Sequence, residues 1–425
     1  MADEVGGRTA DVDVGERRLE TGAGIVYDGN VYMVEAANEL GLTKVKLNSP
    51  WFGMWDGSKL VFESSRWKWW TSFSLLTRYG KNLMRLKQVV SDDLAKFMKI
   101  YPLQDRGVAF ETPNAMFAAL GLLENTEQTI KGYLSDQGVS GSILTELVHA
   151  PMKVHYNQGT GINALAGVIS LCPLITGEIF KIGEGNKQIV AGLLAKYANS
   201  TETSTRITDV VIDGGGQYTV WNGEESKGVF DAVIIATPLE QARISISLQL
   251  GEPPIALSLP PREFQTTIAT WVKSPGGVLK GVFRRSPSGF LSRLFGREKQ
   301  APNVIYLTEE GTREDFSSLG RYGDHYKFFS TQPLSEATLQ RVFGKGGYEI
   351  LTTRSWLAYP QFNPPEKFAS FVPVKGENIF YPSAIETAAS ALEVAALGAR
   401  NTAILACRAL GSCPTPPPAT ESREL

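Results

Sequence analysis

Residues 375–407 read KGENIFYPSAIETAASALEVAALGARNTAILAC. A short apolar strand, Asn378 to Tyr381, runs into Pro382 and Ser383, and the small residues that follow predict a long helix from about Ala384. Ala388, Leu392, Ala395, Ala399 and Ala403 recur at helical spacing, so one face is small enough for another backbone to approach closely. A strand that turns sharply into a helix aims free N–H groups and the positive end of the helix dipole at one spot. An anion or an electron-rich ring fits there. Taken alone, the stretch also reads as an ordinary αβ corner.

The 425 residues carry a net charge of −2, enough chain for two or three domains and a charge that favours neither nucleic acid nor a membrane surface. No apolar run reaches the length of a bilayer span, and no signal-peptide pattern opens the chain. Cys172, Cys407 and Cys413 are too few and too scattered for a disulfide framework or a zinc site. His149 and His155 are spaced so that one helical face cannot hold both, and metal catalysis is not expected.

Two glycine-rich stretches lie near the start. Gly6-Gly7-Arg8 lets a backbone pass close to a bulky ligand and offers a guanidinium to a phosphate; a simple turn would read the same way. Gly22 and Gly24 form a second close approach. Neither is a G-x-G-x-x-G turn opening a helix, and the chain contains none. Trp51, Trp55, Trp67, Trp69 and Trp70 are five of the eight tryptophans and mark an aromatic surface for an apolar ligand or a membrane, or else a lobe packing its own core. Helical spacing continues from Leu83 to Tyr101, and further helices are expected over 113–120, 124–134 and 143–150. A polar, glycine-broken loop from Tyr156 to Gly159 then precedes an apolar helix from about Ile162, and Gly183 to Asn186 caps a helix over 187–198.

Residues 206–213 and 217–222 read as a β-meander, and 229–237 (the run FDAVIIATP covers 230–238) as a buried strand that stops at Pro238. Carboxyl ends of such strands hold the ligands of open α/β sheets. Strands are expected over 266–272, 303–307 and 327–331, an exposed loop over 280–300, and a disordered Pro-rich tail after Ser412.

Read together, EVGGR, KFMKIY (96–101), the 152–171 stretch, GNK (185–187), VIIATPL (233–239), WLAYPQFNPPEK (356–367) and IETAASALE (385–393) resemble the prenylcysteine oxidases, also called prenylcysteine lyases. These form a branch of the flavin amine-oxidase superfamily, and the text looks most like the plant farnesylcysteine lyases. Residues 241–350 match only loosely. The resemblance implies an α/β FAD-dependent amine-oxidase-like fold of the glutathione-reductase type, with an α+β substrate domain and a helical lobe. It divides the chain into FAD-binding segments at 1–45, 176–240 (with the meander) and 356–410. The helical, aromatic-rich substrate lobe would be 46–175, the substrate-domain sheet 241–355, and the tail 411–425.

The implied activity is oxidation of farnesyl- or geranylgeranyl-cysteine by O2 and water, releasing cysteine, a prenyl aldehyde and hydrogen peroxide. FAD is the implied cofactor and no protein partner is implied. Peripheral membrane contact and a lysosome-like or vacuolar location are further expectations, and Asn199-Ser200-Thr201 is a glycosylation triplet. By analogy Gly6, Gly7, Arg8, Gly22 and Gly24 lie along the cofactor, Ile207 near adenine, and Thr237 and Pro238 at the end of the cofactor strand. Ser383, Ala384, Ile385 and Glu386 would present the last helix's N-terminus to the flavin. Tyr156, Gln158, Trp356 and Tyr359 are the substrate-side candidates, and no residue is assigned as a catalytic acid or base. Relatives begin with a strand, a G-x-G-x-x-G turn and an acidic residue on the ribose. Met1 stands about where that residue belongs, so the first βαβ unit of the nucleotide domain is expected to lie outside these 425 residues. Two alternatives stay open: another flavin amine oxidase, or a non-enzymatic isoprenoid-binding remnant.

Overall fold

The computed structural model describes residues 4–14, 17–47, 51–65, 67–175, 177–213, 215–284 and 301–413. Most of the loop expected over 280–300 and the tail after Ser412 lie outside them. The largest sheet has seven strands, in the order Glu349–Pro360, Phe264–Lys273, His325–Ser330, Ser318–Tyr322, Val304–Leu307, Phe52–Trp55 and Leu60–Glu63. Its pairs are antiparallel except Val304–Leu307 with Phe52–Trp55. The three strands expected from the sequence in this region fall on 264–273, 304–307 and 325–330. One face buries Trp55, Leu307, Tyr326 and Phe328 under the helix Glu336–Phe343. Phe52–Trp55 and Leu60–Glu63 are strands of this sheet, within the 46–175 stretch expected to be a helical lobe. Gly53 makes this possible: a Cβ there would stand 2.7 Å from the Leu60 side chain.

The helical lobe packs around the apolar helix Ala164–Ile175, whose inner residues are almost wholly buried against Leu83, Leu86 and Val90 of the helix Lys81–Phe97. Its boundaries follow local chemistry. The helix Pro113–Leu120 starts where Thr112 accepts a hydrogen bond from the Ala115 N–H, carries Pro113 at its first position, and stops at Gly121 with φ 68°. The single helix expected over 124–134 is a 3-10 turn, Glu124–Thr126, followed by a helix Ile130–Asp136 that Thr129 caps through the Gly132 N–H. The segment expected to end near residue 150 instead passes through a π turn, Leu144–Val148, into the helix His149–Tyr156. Tyr156 therefore closes a helix rather than opening a loop, and Asn157 follows it at φ 53°.

The remaining part is built from short sheets. Val26–Tyr27, Ile179–Ile182 and Lys44–Leu47 form one of three antiparallel strands, with the helices Val31–Glu39 and Lys187–Tyr197 packed on it. The meander comprises Asp209–Asp213, Gln217–Trp221 and Ser226–Phe230. The strand expected over 229–237 is divided: Phe230 ends the meander, and Val233–Ile234 pairs in parallel with Ile379–Phe380. Nor is it buried throughout, since Ile234 is 48% exposed.

The last helix also differs from expectation. Pro382–Thr387 is a 3-10 segment, and the α-helix begins at Leu392 and runs to Ala409. Two carbonyls that a helix from Ala384 would use are taken by distant side chains. Arg262 donates to the Ser383 carbonyl at 3.1 Å, and Asn163 to that of Thr387 at 3.1 Å. Cys407 and Cys413, read as too scattered for a framework, form a single disulfide.

Candidate active site

One cavity of about 2340 Å³ runs between the helical lobe, the large sheet and the last helix. Its floor is the small-residue stripe: Ala395, Ala399 and Ala403 all face it. Glycine brings the backbone close at its edge. A Cβ at Gly22 would stand 2.8 Å from the Arg8 carbonyl oxygen and 3.3 Å from the Trp356 ring. Next to it Ala23 takes the left-handed φ of 49°, a conformation that a non-glycine residue rarely adopts, and the Asn186 amide donates to its carbonyl at 2.7 Å.

A charged network closes this end. Arg8 donates to the Ala358 carbonyl at 2.8 Å and pairs with Glu386. Arg262 lies behind, bound to both oxygens of Glu240 at 2.8 and 2.9 Å and to the Tyr381 hydroxyl at 2.7 Å. Glu386 thus sits between two guanidinium groups, the second at 3.9 Å, yet its Oε2 is buried and accepts no hydrogen bond. A buried carboxylate oxygen without a donor suits a ligand N–H or hydroxyl.

Part of the lining is aromatic. Tyr156 and Tyr359 meet edge to face, with Trp356, Trp271 and Phe329 beside them. Lys327 enters from the strand His325–Ser330; its ammonium donates to the Glu20 carbonyl at 2.6 Å and lies 4.4 Å from the Phe329 ring centre. Burial pushes its pKa down to about 8, the carboxylate of Glu20 acting weakly in the other direction. His155 also faces the cavity, 2.5 Å from the Ser170 hydroxyl, and burial lowers it to about 4. Leu75, Leu94, Val168 and Ile169 add aliphatic surface to the same lining. One cavity thus brings together glycines and charged groups, aromatic rings and aliphatic side chains.

Residues 62–412 match a family model described as prenylcysteine lyase. The chain belongs to the prenylcysteine lyase family. It is 29% identical over 431 residues to human prenylcysteine oxidase 1, covering 95% of this chain and 82% of that protein. It is 27% identical over 421 residues to the farnesylcysteine lyase of Arabidopsis thaliana, covering 94% and 79%. The fold is shared with a cyclohexylamine oxidase from Brevibacterium oxydans (TM-score 0.60, 12% identity, 96% of this chain and 92% of that one). A fatty acid isomerase from P. acnes is equally similar in fold (TM-score 0.60, 13% identity, 95% and 90%).

Within this prenylcysteine lyase chain the cavity gathers Arg8, Gly22, Gly24, Ser383, Ile385, Glu386, Tyr156, Trp356 and Tyr359 of the residues singled out in the sequence. Ser383 to Glu386 reach it from a 3-10 segment, not from the N-terminus of the long helix. Gly6, Gly7, Ile207, Thr237, Pro238 and Ala384 do not line it, whereas Ala236, beside Thr237, does. Gln158 is turned away: its amide donates to the Pro360 carbonyl at 2.9 Å and accepts from the Phe362 N–H at 3.0 Å, tying two chain segments together. Asn199 is exposed at the surface. Lys327 and Trp271 were not singled out in the sequence, and His155 was weighed only as a metal ligand. For Lys327 one signal was available, a lone cation on the same face as buried neighbours in HYKFFS.

Proposed function

We propose that the chain is a flavin-dependent oxidase that cleaves the thioether of farnesyl- or geranylgeranyl-cysteine. One observation carries this reading: one cavity is lined by glycines and charged side chains, by aromatic rings and by aliphatic residues. A branched, unsaturated hydrocarbon bearing a small zwitterion calls for that combination. The residues also fit FAD. The alanine stripe admits a flat ring system, Arg8 can meet a phosphate, and the Glu386 Oε2, which accepts no hydrogen bond within the protein, can accept from a hydroxyl or N–H.

The reaction converts R–CH2–S–Cys, O2 and water to R–CHO, cysteine and H2O2. Bound FAD would supply the two-electron acceptor that accepts a hydride and passes its electrons to O2. The protein's task is placement. The allylic carbon next to sulfur stabilises the positive charge left by hydride loss, so no acid–base triad is required. Tyr156, Tyr359 and Trp356 hold the chain against their rings, and the aliphatic residues take up its hydrocarbon. Electron-rich ring faces beside that carbon favour developing positive charge. Water then adds to the carbon, and the thiohemiacetal collapses to aldehyde and thiol.

The test is peroxide, farnesal and cysteine release by the FAD-supplemented chain. Peroxide is expected with farnesylcysteine and not with putrescine or cyclohexylamine; the reverse pattern would overturn the reading in favour of an amine oxidase. The exposure of Asn199 supports glycosylation and, with it, a secretory route to a lysosome-like or vacuolar compartment. Loss of mass on treatment of the native protein with a glycosidase checks the first step.

A further inference from the structure

The helix Lys68–Tyr79 separates two unlike surroundings. Lys68, Thr71 and Leu75 line the cavity. On the other side Trp69, Phe73 and Leu76 fall in a stripe about 60° wide at 3.6 residues per turn. They are 64%, 52% and 45% exposed, with Trp67 at 69% and Trp70 at 48% beside them. Trp69 packs edge-on against Trp70 at 5.4 Å, and Trp70 lies 5.6 Å from Phe73, so the rings form one continuous patch. Scattered exposed apolar residues need no explanation, but a contiguous aromatic patch marks an interaction surface.

Charge selects the partner. Residues 64–91 hold Arg66, Lys68, Arg78, Lys81, Arg85 and Lys87 and no Asp or Glu, in a chain with 42 basic and 44 acidic residues overall. Glu146 neutralises Arg78, but Lys81 and Lys87 are exposed on the next helix. Tryptophan combines an apolar body with a polar N–H and settles at the boundary between headgroups and hydrocarbon. A bilayer surface carrying anionic lipid presents both complements at once, apolar depth for the rings and negative charge for the lysines.

We propose that the helix Lys68–Tyr79 seats the protein on an anionic lipid surface and that the prenyl ligand enters the cavity from that surface. Lys68 and Ser72 are exposed and also line the cavity, so the helix forms part of its rim. A farnesyl or geranylgeranyl chain partitions into bilayers and would pass from lipid to the aliphatic residues of the lining without crossing water. The entry step rests on the prenylcysteine reading above; the docking step does not.

The experiment is co-sedimentation of the full chain with phosphatidylcholine vesicles, with and without phosphatidylserine. Binding is expected only with phosphatidylserine, with a blue shift of tryptophan emission. Replacing Trp69, Trp70 and Phe73 together by Ser is expected to weaken it about tenfold or more. Lys81→Glu with Lys87→Glu, which spares the rings, should weaken it less and reduce its salt dependence. A chain that stays in solution with both vesicles, or a serine variant that binds as well as the parent, overturns the proposal. So does a dimer that the serine variant abolishes, since a second copy would then cover the patch. For entry, the serine variant should oxidise vesicle-dissolved farnesylcysteine more slowly while keeping its rate on detergent-dispersed substrate; equal loss on both overturns it. Vesicle binding without oxidation of any prenylcysteine would defeat the prenylcysteine reading and leave docking standing.

Discussion

Tyr156 stands edge-on to Tyr359 in the lining of the cavity, the ring centres 5.4 Å apart and the planes at 87°. Tyr156 is held in turn by Phe362 at 5.0 Å. Burial raises both phenol pKa values, that of Tyr359 to about 12, so neither is a phenolate near neutrality. Their contribution is shape and ring surface. Tyr359→Phe should therefore keep kcat/KM for farnesylcysteine within about twofold, whereas Tyr359→Ala should lower it about tenfold, the scale of one aromatic contact. Steady-state peroxide assays decide it; loss of activity in the Phe variant would give the hydroxyl a chemical role.

Arg262 joins Glu240, Tyr381 and the Ser383 carbonyl, and its side chain is only 6% exposed. Removing it would leave the Glu240 carboxylate without its cation and Glu386 with Arg8 alone. Arg262→Ala is expected to destabilise the fold by about 3 kcal/mol. Arg262→Lys should recover only part, because one ammonium cannot reproduce the paired contacts to Glu240. Urea unfolding of the purified variants checks both.

What could be read from the sequence depended on whether its cause was local. Thr112, Pro113 and Gly121 state the limits of their helix in adjacent residues, and 113–120 was legible to the residue. The strand at 264–273 was legible from its β-branched and aromatic content. In the run FDAVIIATP the one charged residue, Asp231, stands where the chain changes partner between Phe230 and Val233, but the apolar residues around it read as one continuous strand. The break between Thr387 and Leu392 is set by Arg262 and Asn163, far away in the chain. The candidate site was legible where residue type mattered, as at Gly22, Arg8 and Tyr359. It was not where sheet register decides which way a side chain points, as at Lys327.

Lys327 links this buried architecture to alkaline pH. Its pKa falls from 10.5 to about 8 on folding, so between those values the unfolded chain binds a proton that the folded one has released. Stability should therefore rise as pH increases from about 8 to about 10.5, by up to about 3 kcal/mol at 1.36 kcal/mol per unit. Lys327→Met should remove that rise. Urea midpoints of parent and variant across this range test it, and parallel curves would show that the lysine is solvated in the folded protein.

Glu366 works in the opposite sense at acid pH. Burial raises its pKa from 4.5 to about 7, although Asn163 donates to its Oε1 at 2.9 Å and favours the charged form. The folded protein keeps a proton that the unfolded chain loses, so this group's stabilisation is complete below about pH 4.5 and is lost as pH rises through about 7. His149 and His155, both lowered to about 4 by burial, oppose it, since below their ordinary range the unfolded chain takes up protons that the folded one refuses. The net pH curve is therefore mixed, and the informative quantity is the difference from Glu366→Gln. That amide mimics the protonated acid, so the variant should match the parent near pH 4 or below and exceed it by about 3 kcal/mol near neutrality. Asn163 couples the effect to the site, because the same amide holds the Thr387 carbonyl at the end of the 3-10 segment that carries Glu386. Paired unfolding curves at the two pH values provide the measurement, and an equal offset at both would mean that Glu366 is ionised throughout.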